Sequence, residues 1–345
     1  MEKKLRNQSP WEGKFGPLLI AEIGGNHEGN FAYAKELTRL AIGSGADYIK
    51  FQLYTGDTLV SSIESRDRNQ HFKKFELTQM QHLELASMCS EAGVNYMASV
   101  WDLKMLDWID LHMPIYKVGS GDLTAYPIIG EFAKRGKPII LSTGLSYLDE
   151  VIEAVKYLQS INDSYRNPEM LAILQCTSMY PISDSEANLR VMKTLKEATG
   201  VTVGYSDHTE GTVALEAAAA MGAKVLEFHF TDKREGKDFR DHKVSLTAAE
   251  VREMGPRLRK ITKLRGSSTK EPLECELKTD HVTSFRRAVY PQANLPAGHT
   301  IQKEDLVYLR PNHGLDAKRA SEIIGRKVLQ PLRAFECIDR AKIEL

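Results

Sequence analysis

Short apolar runs recur along the first two thirds of the chain, and segments of helical pattern separate them. The runs begin at Leu18, Tyr48, Val94, Ile115, Pro138, Leu171, Val201 and Val225. Near-continuous apolar strands that alternate with helices indicate parallel strands buried on both faces. Eight such units within about 245 residues predict an α/β fold of the (β/α)8 TIM-barrel type, which usually takes about 250 residues.

The connecting segments carry the start and stop signals of helices. Asn30 is a candidate N-cap for a helix over residues 31–42, which should end at Gly43. Thr247 is followed three residues later by Glu250, a spacing that fits a capping box. The pattern therefore predicts helices between the strands and after the last one.

One connection is longer than a barrel needs. Residues 54–77 follow the second predicted strand, so they should lie over the carboxyl-terminal mouth of the barrel. Two interpretations stay open. The segment is either a lid that carries Arg66, Arg68 or His71, or a solvated charged insertion.

The pattern changes after residue 265. We predict a barrel domain over residues 1–265, a polar linker over 266–283 and a small unit of strands and turns over 284–345. About 60 residues is near the lower limit for an independent core, so the small unit should dock on something larger.

Composition and charge narrow the class of protein. The 345 residues contain 46 Lys plus Arg and 46 Asp plus Glu, so the formal net charge is zero. This balance argues against binding to nucleic acid or to a membrane surface through bulk charge. Four scattered cysteines and a charged, non-apolar start indicate a reduced cytoplasmic protein without a secretory signal.

Charged residues occur inside two of the predicted strands. Lys50 and Gln52 share one face of the second strand, and Glu227 and His229 share one face of the eighth. Charges inside a parallel barrel are costly unless they are paired or used. A buried Lys50–Glu227 ion pair that serves only the core is the alternative to a catalytic role.

Further polar residues end the first and seventh strands. Glu22 is the acid on the core side of the first strand, and Ser206, Asp207 and His208 end the seventh. Since the seventh and eighth strands are neighbours, His208 and His229 can converge. Two imidazoles with oxygen donors suit a catalytic divalent ion that keeps open coordination positions.

Strands four to six end in a lysine surrounded by hydroxyl and other polar groups, which together we call the ring. Together these groups could bind a phosphate and a carboxylate in a protein of zero net charge. The members are Lys117, Ser120, Asp122, Ser142, Thr143, Gln175, Thr177, Ser178 and Tyr180.

Taken in order, these motifs resemble the sialic acid synthase family. The matching pieces are AEIGGNHEG, IKFQ, YKVGSGDL, ILSTG, CTSMYP, GYSDHTEG and EFHF, and the tail with RRAVYP, LPAGHTIQKEDL and LRPNHGL resembles the antifreeze-like (SAF) domain of the same family. The resemblance covers nearly all of residues 17–345. It implies an enzyme that condenses phosphoenolpyruvate with an open-chain N-acetylated amino sugar to give a sialic-acid-type nonulosonic acid.

The resemblance also implies roles for individual residues. His208 and His229 would hold Mn²⁺ or Mg²⁺, while Glu22 and Asp207 would handle protons or orient the sugar and water. The groups implied to bind phosphate and carboxylate are Lys50, Lys117, Ser120, Ser142 and Ser206. The groups implied to position substrates are Gln52, Tyr180 and Asp241, with Arg310 of the small domain entering the site of a partner subunit in a domain-swapped homodimer.

Some positions depart from the family pattern. Ser178 stands where N-acetylneuraminate synthases often have Asn, Asp122 replaces Glu, and residues 231–242 form a longer stretch than usual. A second small-domain turn, residues 332–335, lacks the glycine found at Gly298. The first three departures make a 2,4-diacetamido sugar an alternative to N-acetylmannosamine.

Two other functions stay open from the sequence. One is an aldolase that uses Lys50 or Lys117 as a Schiff base. The other is a sugar-acid binding protein that has lost catalysis. The presence of Glu22, His208 and His229 argues against it, because a protein without catalysis would not need these residues.

Overall fold

The computed structural model describes residues 9–344. The predicted absence of a secretory signal rests partly on residues 1–8, which lie outside the described residues. The chain divides between Gly266 and Ser267 into two compact units. Within the described residues, no helix is both long and apolar enough to cross a lipid bilayer.

The first unit is a closed eight-stranded parallel barrel, as predicted. Each strand pairs with the next, and the first strand also pairs with the last, so that Glu22 lies in register with both Lys50 and His229. The two-residue strand Glu12–Gly13 adds an antiparallel hairpin that the pattern did not predict. The barrel strands are β1 Gly16–Glu22, β2 Tyr48–Leu53, β3 Asn95–Val100, β4 Tyr116–Val118, β5 Ile139–Ser142, β6 Leu171–Cys176, β7 Thr202–Asp207 and β8 Val225–His229.

Helices surround this barrel. The predicted N-cap is confirmed, because the Asn30 side chain accepts a hydrogen bond from the Tyr33 amide, and the capping box of Thr247 and Glu250 is present. The helices of the first unit are α1 Phe31–Ile42, α2 Gly56–Leu59, α3 Arg66–Phe75, α4 Gln79–Glu91, α5 Leu106–Ile109, α6 Tyr126–Arg135, α7 Leu148–Ile161, α8 Val191–Thr199, α9 Val213–Met221, α10 Asp241–Val244 and α11 Ala248–Arg265.

The alternation along the strands divides the barrel into an outer and an inner core. Outward-facing side chains such as Leu226 and Phe228 pack in the large core that includes residues of the helices. Inward-facing side chains such as Ile20, Tyr48 and Val225 form a separate apolar cluster. Along the same strands, the next inward positions toward the carboxyl ends are polar, so a charged layer lies above an apolar plug.

The second unit has its own small core. Strands β9 Ala288–Pro291 and β10 Leu306–Leu309 pair antiparallel, and two short helices, α12 Glu274–Lys278 and α13 His281–Ser284, lie within or overlap the stretch predicted as linker. The buried cluster that forms this core consists of Val289, Leu295, Ile301, Leu306, Leu315, Ala320, Ile323, Val328, Leu332, Ile338 and Ile343.

The two turns compared in the sequence adopt similar backbone conformations. Leu295 and Leu332 pair antiparallel, and three residues after each lies a residue with positive φ, Gly298 at 85° and Phe335 at 59°. A phenylalanine therefore occupies a left-handed position that favours glycine.

Candidate active site

A cavity of about 1040 Å³ opens at the carboxyl-terminal end of the barrel. Most of the predicted site residues line it. They are Glu22, Lys50, Gln52, Lys117, Ser120, Asp122, Ser142, Ser178, Tyr180, Ser206, His208, Glu227, His229 and Asp241.

Two lysines and two glutamates form an ion-pair network in the floor of the cavity. The Lys50 ammonium contacts a carboxylate oxygen of Glu22 and lies 4.0 Å from Oε1 of Glu227. The Lys117 ammonium lies 3.6 Å from Oε2 of Glu227. The predicted Lys50–Glu227 pair is therefore one edge of a larger network in which Glu22 is the nearer partner of Lys50.

Burial and pairing shift the protonation of this network in different directions. Burial raises the pKa of Glu22 to about 7, although Lys50 opposes the shift. Burial alone would lower the pKa of Lys50, but the negative charges of Glu22 and Glu227 have the larger effect, so the pKa of Lys50 is raised. Burial lowers the pKa of Lys117, while the two lysines overcome burial at Glu227 and lower its pKa. Glu22 is thus the member that can gain or lose a proton near neutral pH.

Hydroxyl groups surround the two lysines. Lys117 Nζ donates to Ser142 Oγ at 2.7 Å, and Ser206 Oγ donates to Glu227 Oε1 at 3.2 Å. Ser120 Oγ accepts the Gly144 amide at 3.0 Å. Thr143 and Thr177 of the predicted ring do not take part, because their hydroxyls donate to the backbone carbonyls of Leu174 and Glu186.

The two predicted histidines lie side by side, with ring centroids 5.2 Å apart. His208 Nδ1 donates to the Thr177 carbonyl at 2.6 Å, so its Nε2 is an acceptor. His229 Nδ1 is buried without a hydrogen-bond partner and lies 3.8 Å from an Asp241 oxygen. Burial lowers the pKa of both imidazoles to about 3. Both rings are therefore neutral at physiological pH, the form that binds metal ions.

This donor set fits a labile divalent ion rather than a structural one. Among residues 9–344, no three His, Cys, Asp or Glu side chains are close enough to hold a metal ion by themselves. Two neutral imidazoles, one with an orphaned buried nitrogen, leave coordination positions for water or substrate.

Comparison with known proteins decides the family. The model of the NeuB family matches residues 37–270, and that of the SAF domain matches residues 286–344. The chain belongs to the NeuB family. The resemblance to sialic acid synthases is thereby confirmed.

Several known proteins match most of the chain. An uncharacterized protein of Methanocaldococcus jannaschii is 37% identical over 94% of this chain and 94% of its own length. The N,N'-diacetyllegionaminic acid synthase of Campylobacter jejuni is 33% identical over 93% of this chain and 98% of its own. A solved N-acetylneuraminic acid synthetase of Leptospira borgpetersenii, in complex with citrate, is 27% identical with a TM-score of 0.70, covering 78% of this chain and 93% of that one.

Asp207 and Arg310 of this NeuB-family chain, which were given individual roles, do not line the cavity, and neither do the predicted ring members Thr143, Gln175 and Thr177. Asp207 is buried, and its carboxylate accepts hydrogen bonds from the Tyr205 hydroxyl and from the amide and hydroxyl of Thr209. Arg310 belongs to the second unit, where it is exposed and its guanidinium lies 5.3 Å from the centre of the Phe285 ring.

Other cavity residues were not predicted. Ser99 and Cys176 follow the inward alternation of β3 and β6, which was a usable signal. Arg68 and His71 of the long segment, two of the three residues named for the lid interpretation, also line the cavity, whereas Arg66 does not. The remaining aromatic lining residues come from loops and α3, where spacing gives no signal; they are Tyr54, Phe72, Phe75, Trp101 and Phe239.

Proposed function

We propose that this chain condenses phosphoenolpyruvate with an N-acetylated amino-sugar aldehyde and water, giving a nonulosonic acid and phosphate. C3 of phosphoenolpyruvate forms the new bond to the aldehyde carbon, water adds at C2, and phosphate leaves with cleavage of its C–O bond. The observation that carries the proposal is the ion-pair network of Lys50, Lys117, Glu22 and Glu227 beside two neutral histidines in one barrel mouth.

Phosphoenolpyruvate fits the floor of the cavity. Its phosphate and carboxylate need cations and hydroxyl donors, and Lys117, Ser142 and Ser206 lie together there with Lys50 and Ser120. When Glu22 is protonated, two lysines face the single negative charge of Glu227. The floor then has a net positive charge to offer an anion.

His208 and His229 would hold Mn²⁺ or Mg²⁺, which when bound supplies Lewis-acid polarisation of the sugar aldehyde. Glu22, with its pKa raised to about 7 by burial, holds a proton at its carboxyl group that it can exchange during the reaction. Gln52 Nε2 donates to Glu22 Oε1 at 3.0 Å and orients that group. Asp241 binds the sugar beside His229.

The remaining polar residues would position the substrates. Tyr180 packs 4.0 Å from the His208 ring centre, and Asp122 and Ser178 face the same cavity. Asp207, predicted to handle protons, is assigned instead to holding the chain at Thr209 in place, because its oxygens are already bonded.

The aromatic lining favours a sugar with two acetamido groups over N-acetylmannosamine. The ring centroids of Trp101 and Tyr54 lie 5.3 Å apart, and those of Tyr54 and Phe72 also lie 5.3 Å apart. The three rings therefore form a continuous apolar wall. Each methyl group buried there contributes about 0.8 kcal/mol. The relative from Campylobacter jejuni is named as an N,N'-diacetyllegionaminic acid synthase, which supports the same choice.

We further propose a cytoplasmic, domain-swapped homodimer in which the small domain of one copy covers the barrel mouth of the other through Arg310. Exposed apolar side chains near the mouth, Leu145, Tyr147 and Met179, support a protein surface there. The four cysteines, all within the described residues and all free, support a reducing compartment.

Phosphate release tests the reaction. Purified protein with Mn²⁺ and phosphoenolpyruvate is offered N-acetylmannosamine, its 6-phosphate or a 2,4-diacetamido sugar, and product is identified by mass spectrometry. We expect turnover with an amino sugar and the highest kcat/KM with the diacetamido sugar. Absence of phosphate release with all three would refute the reaction. Lysine labelling by borohydride in the presence of substrate would instead establish the Schiff-base aldolase.

A further inference from the structure

The turn after β1, residues 24–29, contacts two of the segments that line the cavity. We call it the GGNHEG turn, and we call residues 230–246 the β8 loop. Four consecutive residues of the β8 loop line the cavity, from Asp238 to Asp241. The turn itself contributes only Gly25 to the lining, so the chemistry described above leaves most of its side chains without a role.

Asn26 bonds to both ends of the β8 loop. It is fully buried, and its Nδ2 donates to the Phe230 carbonyl at 2.9 Å and to Ser245 Oγ at 2.9 Å. Ser245 Oγ in turn donates to the Asp241 carbonyl at 2.7 Å. A chain of two hydrogen bonds thus runs from Asn26 to the backbone of Asp241, whose carboxylate lies 3.8 Å from His229 Nδ1.

Glu28 of the same turn contacts the loop at a second point. Its Oε1 lies 3.3 Å from His242 Nε2, and His242 Nδ1 lies 2.7 Å from Thr231 Oγ1. His242 and Thr231 are fully buried, and Glu28 has a positive φ of 51°. A non-glycine residue in this conformation costs about 1 kcal/mol or more.

The glycines of the turn allow close approach from both sides. A Cβ at Gly25 would lie 3.1 Å from the Phe239 ring and 3.3 Å from the Phe75 ring. A Cβ at Gly29 would lie 1.9 Å from the Lys74 carbonyl oxygen. The turn therefore contacts α3 on one side and the β8 loop on the other, and larger residues would push both away.

We infer that Asn26 is a positioning residue, which holds the cavity-lining part of the β8 loop through Ser245. Apart from Ser120, the groups proposed to bind phosphoenolpyruvate lie on strands, and neither Asn26 nor Ser245 forms a side-chain hydrogen bond with any of them. Loss of the contact should therefore affect the sugar more than phosphoenolpyruvate. The kinetic part of this inference rests on the proposed function, whereas its structural part does not.

Ser245→Ala is the main test, and Ser44→Ala is its matched control. Both serines are 1% exposed, and both hydroxyls donate to a backbone carbonyl at 2.7 Å, but Ser44 bonds to Ala41 at the end of α1. Asn26→Asp is a second, stronger variant, because it places a carboxylate oxygen against the Phe230 carbonyl.

We expect Ser245→Ala and Asn26→Asp to lower kcat/KM for the sugar by about 10- to 100-fold, as displaced substrate contacts do. The KM for phosphoenolpyruvate should stay within about twofold of the original value, and Ser44→Ala should change neither parameter by more than about twofold. Equal effects on both substrates, or no larger effect than that of Ser44→Ala, would overturn the positioning role.

Hydrogen–deuterium exchange provides a readout that does not depend on activity. Peptides that cover residues 232–244 should exchange faster in Ser245→Ala and Asn26→Asp than in Ser44→Ala. If wild-type protein releases no phosphate with any sugar, the proposed function fails and this exchange measurement alone decides the inference. Unchanged exchange in both variants would refute it.

Discussion

Substitution of Lys117 by methionine should weaken phosphoenolpyruvate binding with little effect on the sugar. The Lys117 side chain is 2% exposed, its ammonium is 2.7 Å from Ser142 Oγ, and it is the closer of the two lysines to Glu227. Methionine retains most of the apolar stem and removes the charge. The change therefore probes one charged contact to the anion rather than the packing of the barrel.

The magnitude follows from that lost contact. A hydrogen bond to a charged group contributes about 1.5–3 kcal/mol. This converts to a rise of about 10- to 150-fold in the KM for phosphoenolpyruvate, provided that KM follows the dissociation constant. The KM for the sugar should change by less than about threefold, because the proposed sugar contacts are at Asp241 and Tyr180.

The lost charge also leaves Lys50, at 4.0 Å, as the remaining lysine paired with Glu227. Removing one partner of a buried ion pair can destabilise a protein by about 3–5 kcal/mol. The double variant Lys117→Met with Glu227→Gln restores the charge balance and should recover thermal stability but not phosphoenolpyruvate affinity. Steady-state phosphate release gives both KM values, and calorimetry gives the unfolding temperature. Equal rises in both KM values, or a rise for the sugar alone, would contradict the assignment.

Three further predictions concern the metal, the proton and the dimer. EDTA should abolish turnover, and added Mn²⁺ should restore it. His208→Ala and His229→Ala should have the circular dichroism spectrum of the folded protein but no activity. Full activity of either variant in EDTA would exclude the metal assignment. Because burial raises the pKa of Glu22 to about 7, a rise in pH through 7 should ionise this carboxyl group and remove the net positive charge of the floor. Phosphoenolpyruvate binding, measured by calorimetry, should therefore weaken as the pH rises. The same pH dependence in Glu22→Gln would show that another group is responsible. Mixing the Glu22→Ala and Arg310→Ala proteins should restore about a quarter of wild-type activity. About half of the randomly formed dimers are mixed, and each mixed dimer has one complete site out of two. Subunit exchange without recovery of activity would show that each small domain covers its own barrel.

The alternation of polar and apolar residues along the strands made the barrel and its floor predictable. Lys50, Glu227 and His229 occupy inward positions of β2 and β8, and a period of two assigns their direction without knowledge of the fold. Parallel strands then bring their carboxyl ends to one mouth, so residues far apart in sequence could be placed together.

The partners of the charged side chains and the contacts of the loops could not be predicted from the sequence. Glu22 rather than Glu227 is the nearer partner of Lys50, because β1 pairs directly with β2 and places the two side chains in register. Lys117 of β4 contacts Glu227 of β8 across the barrel, a pairing that the order of the strands does not indicate. Asp207 sits between polar neighbours in GYSDHTEG, yet its oxygens bond to Tyr205 and Thr209 instead of facing the cavity. Loop residues such as Phe239 have no period that would indicate which side chain faces inward.

The pairing of β1 with β8 makes the cavity a product of barrel closure. Glu22 and Lys50 come from the start of the chain and Glu227 and His229 from its final barrel strand, so a nascent chain has no floor until residues 225–229 have joined the sheet. Contacts of such long sequence separation slow folding, because the entropy of closing the chain is lost before the contacts compensate for it. An anion held as proposed by Lys50 of β2, Lys117 of β4 and Ser206 of β7 would link strands from both halves of the barrel and would stabilise the closed barrel over any open form.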